Sequence, residues 1–177
     1  DPAGIRMVHT TTEFAFSISG AGGMLFTRLH VPGHIAGYLP GFPELPQAHA
    51  IIEIPLGASI EIRQFLIDSI LVAPGDSGFS HPLYPYQPGA VKNLSRRDTS
   101  FYFDSLAYAG SGVQAPPVVR FEEMGTMRGS RLGRIIVSPF RYNPAKHLLT
   151  VYRRIEFEIR FLHPDPSGTR SLREKYY

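Results

Sequence analysis

"LLTVYRRIEFEIRF" runs from Leu148 to Phe161. Leu149, Val151, Ile155, Phe157, Ile159 and Phe161 fall on one side of an extended chain; Thr150, Tyr152, Arg154, Glu156, Glu158 and Arg160 fall on the other. Successive Cβ atoms of a strand point to opposite faces, so a period of two predicts a half-buried β-strand with one wet face. Only Arg153 interrupts the apolar row. Upstream lie "GRIIVSPFRY" and "NPAKH". Asn-Pro is a turn former, so the two runs are expected to pair as an antiparallel hairpin.

The same alternation recurs outward from this stretch. "EFAFSIS" (13–19) sets Phe14, Phe16 and Ile18 on one face, and "MLFTRLHV" (24–31) is similar. In "SIEIRQFLIDSILVAP" (59–74), Ile60 and Ile62 open one face and Phe65, Ile67 and Leu71 fill the other; the switch predicts a bulge or bend. Strand-like runs also occur at "AIIEIPL" (50–56), "SFYFDS" (100–105) and "PVVRFEEM" (117–124). No stretch of a dozen residues has helical periodicity, and one short helix is expected around Asp104–Tyr108. With 17 Gly and 16 Pro, turns are many and long helices few. The expectation is an all-β domain over residues 1–162, an antiparallel β-sandwich or jelly-roll-like barrel with little helix. Residues 163–177 lose the period and read as an unstructured, polar exit segment.

Composition narrows the chemistry. The 177 residues suffice for a hydrophobic core without staples. Cysteine is absent, which excludes thiol chemistry, disulfides and cysteine-ligated zinc. No apolar run approaches the roughly 18 residues of a membrane span. A chain beginning at Asp1 rather than Met reads as a piece of a longer product, from which a signal peptide could have been removed. Residues 1–91 carry three basic and seven acidic side chains, whereas residues 92–177 carry fifteen and eight. That asymmetry is either a set of solvated faces or a surface for an acidic partner.

No catalytic set assembles from the sequence. "GDSG" (75–78) shares four letters with a serine-protease nucleophile motif, but lacks matching flanks for a base and orienting acid and reads as a turn. His30 and His34 in "HVPGH" are four apart, but Pro32 and Gly33 forbid the helix that would align them. His9, His49, His147 and His163 have no partner at ligand spacing, so no metal and no cofactor is expected. Glu122 and Glu123 face opposite ways on a strand; Glu156 and Glu158 sit beside Arg154 and Arg160 as ion-pair partners. The arginines Arg128, Arg131, Arg134, Arg141, Arg153 and Arg154 lack the aromatic platform of an RNA module, so no nucleic acid is expected. A non-catalytic module that binds, blocks or assists something else is what remains.

Three segments carry a resemblance over roughly residues 41–162. "GFPELPQAHAIIEIPLGASIEI" (41–62) resembles the Gly-x-Pro-x-Leu-Pro stretch before I-x-x-P-x-G-A in the propeptides of the gingipain family of cysteine peptidases. "DSILVAPG" (68–75) resembles the strand leading into their long inhibitory loop. Residues 124–161 resemble their closing block, with an R-G-x-R turn, S-P-x-x-Y-N-P and a final L-x-V-Y-x-x-I-E-x-x-I-x-F strand. The resemblance implies a jelly-roll-like sandwich that keeps a secreted bacterial peptidase latent, assists its folding and is removed outside the cell, commonly with the type IX secretion route. The partner it implies is the catalytic domain of the same precursor, with 163–177 leading towards it. It also implies an inhibitory loop that lays a basic side chain into the specificity pocket, placed here at Phe79, Ser80, His81, Pro82, Leu83 and Tyr84. This chain departs from the pattern, since no Arg or Lys occurs from Gln64 to Val91. Either His81 takes the basic position, or Lys92, Arg96 or Arg97 does so through a shifted loop, or inhibition does not use the pocket. Arg170 and Arg173 are candidate processing sites. Two other readings stay open: a carbohydrate- or protein-binding sandwich exposing Tyr84, Tyr86 and Tyr142, or the N-terminal domain of a secretion-linked, sortase-like member of the same peptidase family.

Overall fold

The computed structural model describes residues 4–37, 39–89, 101–109 and 117–176. Its longest element is the strand quoted above, β9 (Leu148–Leu162). At about 3.3 Å per residue it reaches about 50 Å, more than one sheet-on-sheet contact covers. Along one edge it pairs antiparallel with β1 (Gly4–Thr10) and then β8 (Phe140–Asn143); along the other it pairs with β5 (Ser59–Val72).

Two cores share this strand. Ile155, Phe157, Ile159 and Phe161 pack on a second sheet of order β4-β7-β6, formed by β4 (Ala48–Ile54), β6 (Val119–Met127) and β7 (Ser130–Val137). Ile54, Ile135, Val137 and Val119 meet them from that side. Leu149 and Val151 instead join Leu29, Val72, Phe79, Leu83 and Phe140 in a second cluster. The hairpin β2 (Ala15–Ala21) and β3 (Met24–His30) covers it, with Phe14 and Phe16 packed alongside. The fold is an all-β antiparallel sandwich, as expected.

Arg153 marks the joint between the cores. The β5–β9 register steps from Asp68↔Arg154 to Ser69↔Tyr152 and passes over Arg153, which is exposed. A second shift passes over Phe65, between Gln64 and Leu66, and is the bulge that the switch in β5 predicts. Phe65, Ile67 and Leu71 do not fill an apolar face, however. They are exposed on β5, which among the described residues pairs only with β9, while Ile60 and Ile62 pack into the first core.

Three expectations are corrected. The predicted hairpin forms only between β8 and β9; β7 belongs to the opposite sheet. The chain changes sheets at Ser138–Pro139, where proline has no N–H to give a ladder. Phe101–Asp104 is not a strand. Asp104 caps α1 (Ser105–Ala109), its Oδ1 accepting from Leu106 N at 2.9 Å and Ala107 N at 3.0 Å, so the short helix is present where expected. Finally, the tail is not unstructured. Pro166–Tyr176 is a helix, α2, started by Asp165, whose Oδ1 accepts from Gly168 N at 2.9 Å and Ser167 Oγ at 2.7 Å. It buries no side chain. Polar ties hold it against the turn after β4: Leu56 N donates to Thr169 Oγ1 at 2.9 Å, and Arg173 Nε to Glu53 Oε1 at 3.0 Å.

Ion pairs join the two halves of the sequence in space. Arg6 pairs with Glu156, Glu61 with Arg160, and Glu53 with Arg173, each across the two halves of the sequence. Within the second half, Arg131 forks onto Glu123 and Arg134 reaches Glu122.

Candidate functional site

The segment after β5 begins with a tight turn. Gly75 (φ 92) and Ser77 (φ 49) lie in the left-handed region, and Asp76 Oδ2 accepts from Ala73 N at 2.8 Å. "GDSG" is therefore a turn. It delivers Phe79 into the second core, where the ring is fully buried, stacked on Phe16 at 5.3 Å and edge-on to His147 at 4.5 Å.

From there the chain runs alongside β3, not out into solvent. Thr27 holds it from three directions: its N–H donates to Pro82 O (2.8 Å), its carbonyl accepts from Tyr84 N (2.8 Å), and its buried hydroxyl accepts from His81 N (3.0 Å). The His81 carbonyl accepts from His147 Nε2 at 2.9 Å. Leu83 is fully buried, and its carbonyl accepts from the Tyr108 hydroxyl at 2.6 Å. Burial pushes the Tyr108 phenol well above its ordinary range and that of Tyr142 up to about 12, so both stay protonated donors. Of the six residues placed in the blocking loop, Phe79, Leu83 and Tyr84 are core anchors rather than exposed loop residues. Ser80 and Pro82 are exposed and His81 is half-buried, its Nδ1 hydrogen-bonded to Ser80 Oγ at 2.9 Å.

The aromatic platform of a carbohydrate module is absent at the three tyrosines considered. Tyr84 is buried, capped by the Arg28 guanidinium 3.5 Å above its ring, and Arg28 also reaches Glu44 at 3.6 Å. Tyr86 and Tyr142 are half-buried. Tyr86 pairs with Phe42 and Gly41 through backbone hydrogen bonds.

Beyond Tyr86 the chain is tied to a distant partner. The Gln87 amide imitates a strand neighbour: Nε2 donates to Tyr102 O at 2.8 Å, and Oε1 accepts from Tyr102 N at 2.9 Å. Asp104 N donates to Gly41 O, closing the same region. The two ends of the 88–101 stretch are thereby held side by side. Lys92, Arg96 and Arg97 lie outside the described residues. Arg170 and Arg173 lie on α2, the first exposed and the second bound to Glu53.

One pairing was not legible from spacing. His34 does not meet His30; its Nε2 lies 3.5 Å from His9 Nε2, across 25 residues. His9 is thus not without a partner. Burial, and secondarily His34, lowers its pKa to about 4.

The family model Propeptide_C25 matches residues 40–174. The chain belongs to this family. The family is that of a non-catalytic prodomain of a peptidase precursor, and the chain is a gingipain-type propeptide. It is 29% identical over 150 residues to Lys-gingipain of Porphyromonas gingivalis, a match covering 85% of this chain but only 9% of that protein. The structure reported for the zymogenic latency of gingipain K from the same organism is 25% identical, covers 90% of this chain and 87% of that one, and superposes with a TM-score of 0.81. The complex of P. gingivalis RgpB pro- and mature domains shares the fold, with a TM-score of 0.77 at 10% identity over 100% of this chain and 93% of that one. Among the described residues, no helix is long and apolar enough to cross a membrane.

Proposed function

We propose that this chain keeps a gingipain-like cysteine peptidase latent, assists its folding, and carries no catalytic set of its own. The carrying observation is the family match over residues 40–174, together with the likeness to a gingipain K structure described for zymogenic latency. The partner is the catalytic domain of the same precursor, which is exported beyond the inner membrane to the periplasm and cell surface. Residues 1–162 act as the inhibitory domain and 163–177 lead towards the peptidase, with Arg170 and Arg173 as processing positions.

Anchoring of Phe79, Leu83 and Tyr84 bears on which side chain meets the specificity pocket. Both backbone groups of His81 are already bonded within the fold, so this residue cannot lay an extended backbone into a cleft without breaking them. Gln87 and Tyr102 instead hold together the base of a stretch whose sequence supplies Lys92, Arg96 and Arg97. One of these three supplies the basic contact, while Phe79, Leu83 and Tyr84 stay anchored in the core.

The test is inhibition in trans. Adding the purified chain to the mature peptidase of its own precursor should abolish activity at micromolar concentration. Lys92→Ala, Arg96→Ala and Arg97→Ala, made singly, should include one variant that loses at least tenfold in affinity, while His81→Ala loses little. Full peptidase activity in the presence of the chain refutes latency; loss confined to His81→Ala refutes the assignment to the later residues.

A further inference from the structure

We propose that His9 and His34 form a binding site for a single borderline transition-metal ion of the Zn²⁺ or Cu²⁺ class. The two residues come from different parts of the fold. His9 sits near the end of β1, on the inward side with Ile5 and Met7, opposite Ile155 of β9. His34 follows β3 in the "HVPGH" turn, which is fixed by the paired backbone bonds between Ile35 and Gln47. Their Nε2 atoms are 3.5 Å apart and their rings nearly perpendicular, at 77°.

That separation is long for a hydrogen bond, whose donor–acceptor distance is usually about 2.7–3.2 Å. It is close to what one ion requires. With metal–nitrogen bonds of about 2.0–2.1 Å and a tetrahedral angle, two ligand nitrogens stand about 3.3–3.4 Å apart. The tautomer is also set. His34 Nδ1 lies 2.9 Å from Pro32 O, and a carbonyl can only accept, so Nδ1 carries the proton and Nε2 presents its lone pair. An imidazole whose other nitrogen donates to a backbone carbonyl is the usual second-shell arrangement of a metal ligand. His9 Nε2 also lies within hydrogen-bond distance of the Thr11 hydroxyl, at 3.2 Å, a contact that it exchanges for the ion on binding. His34 also lines an open cavity of about 410 Å³ together with His30 and Glu44.

Among the described residues, no group of three or more His, Cys, Asp or Glu converges on one point, so the ion takes two protein ligands and completes its shell with water. Such a site selects imidazole-loving ions over Mg²⁺ and Ca²⁺, which want oxygen. It would tie the sheet of β1, β9 and β5 to the turn following the β2–β3 hairpin.

The test uses the 177-residue chain and ZnCl₂, with MgCl₂ as the control. Titration should give one site of micromolar to sub-millimolar affinity. At metal a hundredfold above Kd, the thermal midpoint should rise by about 5–10 °C. His9→Ala and His34→Ala should each weaken binding at least tenfold, while His30→Ala and His147→Ala leave it intact. Because an alanine variant could lose metal by unfolding, imidazole ¹⁵N spectra of the unsubstituted chain give a second readout. There, Zn²⁺ should shift the Nε2 resonances of His9 and His34 and leave those of the other five histidines in place. No binding up to 1 mM ZnCl₂, binding unchanged in both variants, or shifts at other histidines overturns the proposal.

Discussion

Replacing Phe79 by alanine separates two accounts of the 79–84 segment. If the segment were a free blocking loop, the ring would be solvated before the peptidase binds, and its removal would cost affinity with little change in stability. In the structure the ring is 0% exposed and packs on Phe16, Tyr142 and His147 within the second core. Truncating a buried Phe leaves a cavity and forfeits the transfer free energy of the ring, together about 3–5 kcal/mol. The high end applies only if neighbours cannot collapse, and here two of them are themselves held. The His147 ring is bonded to His81 O, and Tyr142 is on β8, paired to β9. For a urea m-value of about 2 kcal/mol/M, a loss of about 4 kcal/mol lowers the unfolding midpoint by about 2 M. Equilibrium urea unfolding followed by tyrosine fluorescence and far-UV circular dichroism measures this directly. A Phe79→Ala variant whose midpoint moves by less than about 0.3 M, with reduced inhibition of the peptidase, would refute the anchoring argument and restore the segment as a mobile loop.

Other perturbations test the neighbouring elements. Asp104→Ala removes the cap of α1 and should cost about 1 kcal/mol, read as faster hydrogen exchange at Leu106 and Ala107. Gly133→Ala would place a methyl against the Phe121 ring and 2.9 Å from Ile54 Cδ1, so overpacking should destabilise the chain by about 1–3 kcal/mol in the same urea assay. Glu53 should make the docking of α2 acid-sensitive. Its hydrogen bond from Arg173 holds its pKa below the ordinary carboxylate value, so the contribution is present above that value and lost as pH falls through the folded one. Both partners are substantially solvated, which limits the effect to about 0.2–1 kcal/mol. Glu53→Gln should abolish the pH dependence and speed tryptic cutting after Arg173 at pH 7; unchanged cutting would show that the ion pair does not hold the helix.

Where a strand buries one face over a single core, as β9 does, the period of two makes it legible; β3 and β7 bury consecutive residues and show the period less cleanly. β9 shows both the strength and the limit of that signal. Its alternation is readable from Leu149 to Phe161, and the interruption at Arg153 is itself informative, since it falls where the ladder skips a residue between two cores. What the pattern cannot carry is partner choice. β7 reads as a strand from its continuous apolar run Ile135, Ile136 and Val137, all buried, but that run does not show that it pairs with β4 and β6 in the opposite sheet. β1 has the same alternation, with Ile5, Met7 and His9 opposed to Arg6, Val8 and Thr10, yet it is not among the strands expected from the sequence, and its pairing with β9 depends on a contact about 150 residues away. Helix α2 escaped for a different reason. It buries no side chain, so no apolar stripe marks it, and only the Asp165 cap stands in the sequence as a signal.

The candidate site was harder to read than the fold, and the obstacle was proline. In "SHPLYPYQPG" three prolines and an absence of charge suggest an extended, solvated run, and extended it is. Yet extension and exposure are separate properties. An extended chain offers its backbone groups for pairing, and here Thr27 takes them from one side while Phe42 and Glu44 take the next from the other. With the backbone satisfied in this way, Phe79, Leu83 and Tyr84 can enter the core at no cost in unpaired polar groups. Prolines at 82 and 85 fall where no N–H is needed: Pro82 offers only its carbonyl to Thr27, and the donors that the pairing requires come from His81, Tyr84 and Tyr86. The alternation of proline with donor residues therefore belongs to a pinned strand-like segment. That arrangement directs attention to the next stretch of sequence, beyond the Gln87 clamp, where the basic residues begin.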